Sequence, residues 1–355
     1  MTWEQLSNLT PDNGAIQSLK DLIIAEVFTD PELERFFTMK FKVNNGDKLG
    51  YSGEMSDVGW AGAGCNPSYK KPKVEFAEKA WKIGDWQIPL EFCYTELNNT
   101  IAEYCLKTGT DIADLTSTEY MDEIIYPKLK DAMRLMFWRM IWFGDTEAKV
   151  HTSSGVLTTG VDPELFKATD GLFKHLFAVG TKAKGQKVEI AANAQESTAL
   201  QFSTLRTPKV AIGIFDSLLE NADSRIQSIP GAGIFATKSL CDALTRDLKN
   251  EYKDRITWEQ IFEGLDVTEY NGVPVYRVAI WDRFIQEYQN NGTKLNIPHR
   301  AVFGSPREMF VGTPANDIVS DLDIFFEQKT RMNYIYSTGK IGTLIGQDNL
   351  FQLAY

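Results

Sequence analysis

Asn296-Ile297-Pro298-His299-Arg300-Ala301-Val302-Phe303-Gly304-Ser305-Pro306-Arg307-Glu308-Met309-Phe310-Val311-Gly312-Thr313 leads through an acidic stretch into Ile324-Phe325-Phe326-Glu327-Gln328-Lys329-Thr330-Arg331-Met332-Asn333-Tyr334-Ile335-Tyr336. The segment reads as three strand-like runs in succession, and nothing in it has the look of a catalytic loop. A chain that closes by completing a sheet is building something. Every catalytic motif upstream therefore has to be weighed against a structural role.

Working outward, 355 residues give room for one large domain or two of ordinary size. An apolar fraction of 43% with 12% aromatics supplies a real hydrophobic core and excludes bulk disorder. Large aromatic side chains are favoured in cores and at subunit contacts. The formal net charge of −11 disfavours sequence-wide nucleic-acid binding, because an acidic surface gains nothing from counterion release. Met1-Thr2-Trp3-Glu4-Gln5-Leu6 lacks the basic and apolar regions of a secretory signal. No apolar run approaches the ~20 residues needed to cross a bilayer. Cys65, Cys93, Cys105 and Cys241 are widely spaced, as expected of free thiols in a reducing compartment. Together these features lead us to expect a soluble protein made in a cytoplasm.

Ile16, Leu19, Ile23 and Val27 fall at helical spacing after Pro11-Asp12-Asn13, which predicts a short amphipathic helix over 12–28. From Phe41 to Phe92 the texture changes. Gly46, Gly50, Gly53, Gly59, Gly62 and Gly64 punctuate its first half, and Lys73 to Leu90 alternates apolar and polar residues. That pattern predicts a long two-stranded hairpin or extended loop, with an irregular tip at Tyr51–Tyr69. In a monomer its edges and apolar faces would stay uncovered, whereas neighbouring subunits would cover them. Tyr120 to Phe143 carries Met121, Ile125, Leu129, Ala132, Met136, Met140 and Phe143 on one helical stripe, with Pro127 marking a kink or the true start. Beyond Leu129 the helix is apolar nearly all round and should be buried on more than one side. Further helices are expected over Leu165–Val179, Ser197–Leu205, Val210–Asn221 and Ser239–Tyr252. Strands are expected at Lys187–Ala192 and Gly233–Thr237, with a hairpin of Leu265–Tyr270 and Val273–Val278 turning at Asn271-Gly272.

The candidate chemical motifs mostly fail on their own terms. Gly231-Ala232-Gly233-Ile234-Phe235-Ala236 has dinucleotide-loop spacing, but that mechanism needs a strand before the first glycine, and Ser228-Ile229-Pro230 is a turn. Thr237-Lys238-Ser239 lacks a phosphate-cradling glycine loop. His151, His175 and His299 stand at no metal-ligand spacing, and no G-x-S-x-G elbow supports a serine nucleophile. We therefore assign no catalytic, cofactor-binding or metal-binding residue. Lys70-Lys71-Pro72-Lys73, the one basic cluster, reads better as the blunting of a strand edge than as a DNA contact.

The order of these features resembles the major capsid proteins of tailed bacteriophages, the Hong Kong phage-type family. The likeness runs through Phe143-Gly144-Asp145, Asp170-Gly171-Leu172-Phe173-Lys174, Ile190-Ala191-Ala192-Asn193 and Phe235-Ala236-Thr237-Lys238-Ser239-Leu240. It continues in Tyr270-Asn271-Gly272-Val273-Pro274-Val275, Trp281-Asp282 and the segment from Pro298 to Thr313. The resemblance implies an α+β fold divided into an N-terminal arm (1–40), an extended loop (41–95) and a peripheral domain (96–187) with a spine helix over 120–143. An axial domain (188–295) and closing strands (296–355) returning to the peripheral domain would complete it.

On that reading Gly50, Tyr51, Gly53, Trp60, Lys70 and Lys71 belong to the loop that lies across the neighbouring subunit. Ile125, Leu129, Met136, Met140 and Phe143 pack the spine helix. The implied function is a non-enzymatic shell protein, assembled in a bacterial cytoplasm from pentamers and hexamers into a virion around double-stranded DNA. Its implied partners are other copies, a portal, a separate scaffolding protein, decoration proteins, and weak non-specific contact with packaged DNA, with no membrane and no cofactor. Only about forty residues precede the loop, which is why a separate scaffolding protein, or self-directed assembly, is expected. An encapsulin-like compartment shares this fold as an alternative. A soluble α/β enzyme, with His299 and Arg300 as its site, is the alternative from another class.

Overall fold

The computed structural model describes residues 36–56, 73–93, 109, 126–252, 257–262, 265–316, 319–327, 329 and 332–355. The expected helix over 12–28, the loop tip at 57–69 and the first turns of the 120–143 helix lie outside the described residues, apart from Tyr51–Ser56 of the tip region, which is strand.

Strands β1 (Thr38–Phe41), β2 (Lys48–Ser56), β3 (Lys73–Ala80) and β4 (Ile83–Cys93) open the described chain. They lead to helix α1 (Tyr126–Phe143) and helix α2 (Leu172–Lys182). After the short strand β5 (Lys187–Val188) come α3 (Thr198–Leu205), α4 (Val210–Glu220), β6 (Gly233–Thr237) and α5 (Lys238–Tyr252). Strands β7 (Glu259–Phe262), β8 (Leu265–Tyr270) and β9 (Val273–Val278) precede α6 (Ala279–Tyr288). The chain closes with β10 (Ala301–Gly304), β11 (Met309–Thr313), β12 (Val319–Glu327), β13 (Met332–Ile345) and β14 (Gln352–Ala354).

The strands form three sheets, among the described residues. One is a five-stranded sheet built on β13, which pairs with β4 along one side and with β12 and then β11 along the other, β1 adding to β11 in parallel. The second is a seven-stranded mixed sheet in the order β5-β14-β10-β6-β9-β8-β7, and the third is the β2–β3 pair alone. The closing run does not return to a single layer. β11, β12 and β13 enter the five-stranded sheet, whereas β10 and β14 pair with each other, and β10 with β6, inside the seven-stranded one. The reason is local. Ala301-Val302-Phe303 is apolar at every position, as a strand buried on both faces requires.

Several local expectations hold for identifiable physical reasons. Asn271 and Gly272 both have positive φ (50° and 78°), the conformation a two-residue hairpin turn demands between β8 and β9. Ser197 caps α3 by accepting from Leu200 N at 3.3 Å. Others fail. The 41–92 alternation is not one hairpin. β3 pairs with β2, but the chain breaks at Trp81-Lys82 and β4 crosses into the five-stranded sheet beside β13. Leu165 ends a 3₁₀ turn and residues 166–171 are not helical, because Asp170 is held accepting from Thr146 N (3.0 Å) and Thr146 Oγ1 (2.8 Å) and the helix starts only at Leu172. Lys187–Ala192 is strand only at its first two residues, after which Ala191–Ala194 tightens into a 3₁₀ turn. Helix α6 was not anticipated, although Trp281, Phe284, Ile285 and Tyr288 follow helical spacing.

The main core fills the space between α1, α2, α6 and the sheets. Trp142 meets Trp281 (4.6 Å between ring centroids) and Phe173 (5.2 Å), and Phe143 meets Phe173 and Phe284 edge-on at 5.1 and 5.7 Å. Phe137 to Phe143 is buried at every position but Arg139, as its all-round apolarity requires. A second core lies under α4 and α5 against β6, β9 and β10.

Candidate intersubunit surface

The β2–β3 ribbon pairs with no other strand among the described residues, and its pairing slips between Ser52 and Met55, the mark of a bulge. Its outward Lys48 and Glu78 pair at 2.7 Å, both well exposed. Such a pair fixes register more than it stabilises. The ribbon is held at its root. Trp81, 3% exposed, packs with Phe310 and Leu344 over Gly312, where a Cβ would come within 2.6 Å of the indole. Trp81 N donates to Asp47 O (2.9 Å) and Gly46 N to Trp81 O (2.9 Å), closing the two strand ends on each other. Lys79 Nζ reaches Ile345 O at 3.1 Å, Gly346 O at 2.6 Å and the Asp348 carboxylate, tying β3 to the end of β13.

The five-stranded sheet buries one face and leaves the other open. Along β12, Leu322 and Ile324 turn inward while Asp321, Asp323 and Phe325 turn outward; along β13, Ile335 and Ser337 turn inward and Tyr336 outward. Across the strands Phe325, Tyr334 and Glu91 share one register row, and Asp323, Tyr336 and Pro89 the next. Phe325 stacks on Tyr334 at 5.3 Å and remains 47% exposed, and Tyr336 is 39% exposed. Asp85 pairs with Lys340 at 3.3 Å on the same face. Pro89 on β4 agrees with its edge position, since proline cannot donate to a ladder.

The structure places the sequence-derived site residues unevenly. Gly50, Tyr51 and Gly53 are in β2, and Gly50 has open space where a side chain would be. Trp60, Lys70, Lys71 and Ile125 lie outside the described residues. Leu129, Met140 and Phe143 are buried, while Met136 is only partly so. In mid-helix the deepest positions are Met133 and Phe137 rather than Ala132 and Met136. Sequence reading missed Trp81, Gly312, Phe325 and Tyr336. The signal for the last two was the alternation of aromatic and aliphatic residues on adjacent strands.

His299 and Arg300, the enzyme alternative, are taken up by packing. Arg300 is 1% exposed, stacked against Phe173 (4.6 Å), Phe143 (5.3 Å) and Phe177 (5.5 Å). It donates to Gln289 Oε1 (3.0 Å), Asn296 O (2.9 Å) and Ile297 O (2.9 Å), and burial pulls its pKa down to about 9. His299 is fully buried with Nδ1 2.9 Å from Ser239 Oγ, and burial lowers its pKa to about 4, so it is neutral at pH 7. Asp282 accepts from Lys238 N (2.6 Å) and Ser239 N (3.1 Å), serving as the cap of α5, and burial raises its pKa to about 6. A cleft of about 270 Å³ opens beside them, lined in part by Arg206, Ser239, Asp242 and Arg246. Asp242 there is already paired with Lys238 and Arg277. Among the described residues no group of His, Cys, Asp and Glu could hold a metal ion, and no helix is long and apolar enough to cross a membrane.

No protein-family model matches the sequence, and no characterised protein does so either. Solved structures do match. A chain of the satellite phage P4 procapsid, in the structure that includes the size determination (Sid) protein, superposes with a TM-score of 0.51 at 11% identity. The match covers 95% of this chain and 98% of that one. The chain has a phage-capsid fold. Chains from Mycobacterium phage Ogopogo and Gordonia phage Cozz are also similar, with TM-scores of 0.49 and 0.47 and 12% identity each. They are matched over 91% and 89% of this chain and 90% and 84% of theirs. In this phage-capsid fold the mixed helix and strand content expected from sequence is present. The agreement with the procapsid chain runs over nearly the full length of both.

Proposed function

We propose that this protein is the major capsid protein of a tailed bacteriophage, a structural shell subunit rather than an enzyme. The observation that carries the proposal is the end-to-end agreement with a chain of the P4 procapsid. A fold hosts many functions, so the surface has to agree as well. It does so in two respects. Among the described residues the β2–β3 ribbon has no strand beside it, and the β4–β13–β12 face keeps large aromatic rings in solvent. Both are faults in a monomer and ordinary features of an interface.

In this proposal the part of 41–95 up to the root at Trp81 supplies the extended loop, β4 having joined the five-stranded sheet, and 1–40 supplies the arm. The five-stranded sheet with α1 forms the peripheral part. The seven-stranded sheet, mostly from 188–295 but completed by β10 and β14, forms the axial part that meets at five- and six-fold centres. Heterologous contacts of one kind then close rings, and rings close a shell in the virion. Portal, scaffolding and decoration proteins would be its partners. The acidic wall, at net −11, would hold packaged DNA only weakly.

The test is negative-stain electron microscopy of the purified chain after size-exclusion chromatography. Closed particles, tubes, or rings of five and six are expected in or near the void volume. A monodisperse monomer that persists at high concentration, with and without a co-expressed scaffolding protein, would overturn the proposal.

A further inference from the structure

In an Asn-Gly pair the glycine N–H can attack the asparagine side-chain amide, because glycine places no side chain in the way of ring closure. The chain carries four such pairs. Asn13-Gly14 lies outside the described residues, and Asn45-Gly46, Asn271-Gly272 and Asn291-Gly292 lie within them. We infer that Asn271, in the β8–β9 turn, is a self-modification site of the folded protein that converts to aspartate and isoaspartate, while Asn45 and Asn291 are held as amides.

The only co-reactant is water. Gly272 N gives up its proton to base and bonds to Asn271 Cγ. The Cγ–Nδ2 bond breaks, the nitrogen leaves as ammonia with a proton from solvent, and a succinimide ring remains. Water then opens either ring carbonyl. Opening at Cγ restores the backbone with an aspartate side chain, and opening at the backbone carbonyl gives isoaspartate. No atom changes oxidation state.

Steric access does not choose among the three described sites, since Gly46, Gly272 and Gly292 each have open space where a Cβ would lie. Hydrogen bonding does. Gly46 N donates to Trp81 O at 2.9 Å, and Asn45 Oδ1 accepts from Ile83 N at 3.3 Å. Gly292 N donates to Asn290 Oδ1 at 2.8 Å, and Asn291 Oδ1 accepts from Thr293 N at 2.9 Å and Lys294 N at 2.7 Å. In both loops the nucleophile is occupied and the electrophile is pinned.

The β8–β9 turn does neither. Tyr270 and Val273 pair across it and are buried, which leaves a two-residue loop exposed in solvent. Among the described residues Gly272 N donates to no acceptor and the Asn271 amide has no partner. Asn271 is also the one asparagine of the three at positive φ (50°), a conformation that carries a cost for an L residue and that ring closure releases. The product matters locally. Asn271 lines a cleft of about 470 Å³ with Gln227, Ser228 and Pro274, and no side chain lining it is charged. Conversion gives that cleft a carboxylate as its single charge.

The test is peptide mass spectrometry on the full chain, kept folded at mildly alkaline pH and digested in acid to stop the reaction. Asn271 should convert roughly tenfold or more faster than Asn45 and Asn291, the effect of the hydrogen bonds that those two must first break. It should yield two acids of equal mass that separate on chromatography. In urea, where those bonds are gone, the three rates should converge. N290A frees Gly292 N, so Asn291 should speed up several-fold while Asn271 keeps its rate. Four results would each overturn the inference: Asn45 or Asn291 converting as fast as Asn271 in the folded chain, the folded ranking persisting in urea, a single acid at Asn271, or an Asn271 that stays intact while the unfolded chain reacts. None of them bears on the shell reading, which stands or falls by particle formation.

Discussion

Replacing His299 with Asn, and separately Asp282 with Asn, should expose two pH dependences that nearly cancel in the wild-type protein. The two groups meet through Ser239, whose hydroxyl contacts His299 Nδ1 and whose N–H is accepted by Asp282. Burial lowers the His299 pKa from 6.5 to about 4. The unfolded chain therefore takes up a proton first, and stability present above pH 6.5 is lost as the pH falls toward 4. Between pH 7.5 and 4.5 this loss is about 2.5 kcal/mol. Burial raises the Asp282 pKa from 3.8 to about 6, so here the folded chain binds the proton first. Stability is then gained as the pH falls through 6, by about 2 kcal/mol over the same interval. The assay is urea unfolding across that range, taking the difference between each variant and wild type so that all other titrating groups cancel. The H299N difference should rise in the variant's favour by about 2.5 kcal/mol on acidification, and the D282N difference should fall by about 2 kcal/mol. A difference that moves by less than about 0.5 kcal/mol in either series would refute the assignment of His299 as buried neutral or of Asp282 as a desolvated cap.

Four further outcomes are expected. R300A should lose about 4 kcal/mol in urea unfolding, since it leaves three acceptors unpaired and a void among three rings, and R300K should recover only part of it. W81A should cost about 3 kcal/mol locally, seen as proteolysis at the ribbon root before global melting, because its cluster is separate from the two main cores. G312A drives a methyl into the Trp81 indole and should cost about 1–3 kcal/mol at the same place. Deletion of residues 50–68 should leave a monomer with wild-type circular dichroism that forms no closed particles in electron micrographs. Normal particles from that variant would remove the ribbon from the intersubunit contact.

What the sequence made legible followed from local rules. The β8–β9 hairpin, β6, and helices α3 to α5 were readable because turn chemistry, a side-chain cap or a clean period fixed each within its own segment. What was not readable depended on distant residues. Lys73 to Leu90 alternates without a visible stop, yet Trp81 leaves the ribbon to sit on Gly312, more than two hundred positions later in the chain. The 165–171 segment has helical apolar spacing, but Asp170 accepts from Thr146, and its carbonyl accepts from Thr343 Oγ1, a partner on β13. The α1 stripe was displaced in its middle because two sets of positions satisfy the same three-and-four spacing, and the larger Met133 and Phe137 fill the core better than Ala132 and Met136. Of the candidate site, the ribbon was legible from its alternation and glycines. The outward aromatic face was not, since it exists only once β4, β12 and β13 are side by side.

The same division separates what holds the subunit together from what the subunit leaves unfinished. Arg300, three phenylalanine rings and the Trp142–Trp281 pair join α1, α2 and α6 to the chain just before β10, within a core cluster that includes residues of both large sheets. Burying a guanidinium there is costly, and three hydrogen bonds and three ring faces internal to one subunit offset that cost. Among the described residues the ribbon is held only at its root, by Trp81 and Lys79, and the aromatic face is covered by no other element. A bare two-stranded ribbon is at best marginally stable in water, and exposed Phe325 and Tyr336 gain nothing from it. On the proposed shell function their stabilisation comes from another molecule. A protein built this way keeps a stiff body and defers part of its folding free energy to assembly. It follows that ribbon protection against hydrogen exchange should be low in the free subunit and should rise sharply in particles, while β6 and β10 exchange equally slowly in both. Equal ribbon protection in the two states would mean that the free subunit already covers its own ribbon, and the argument for an interface there would fail.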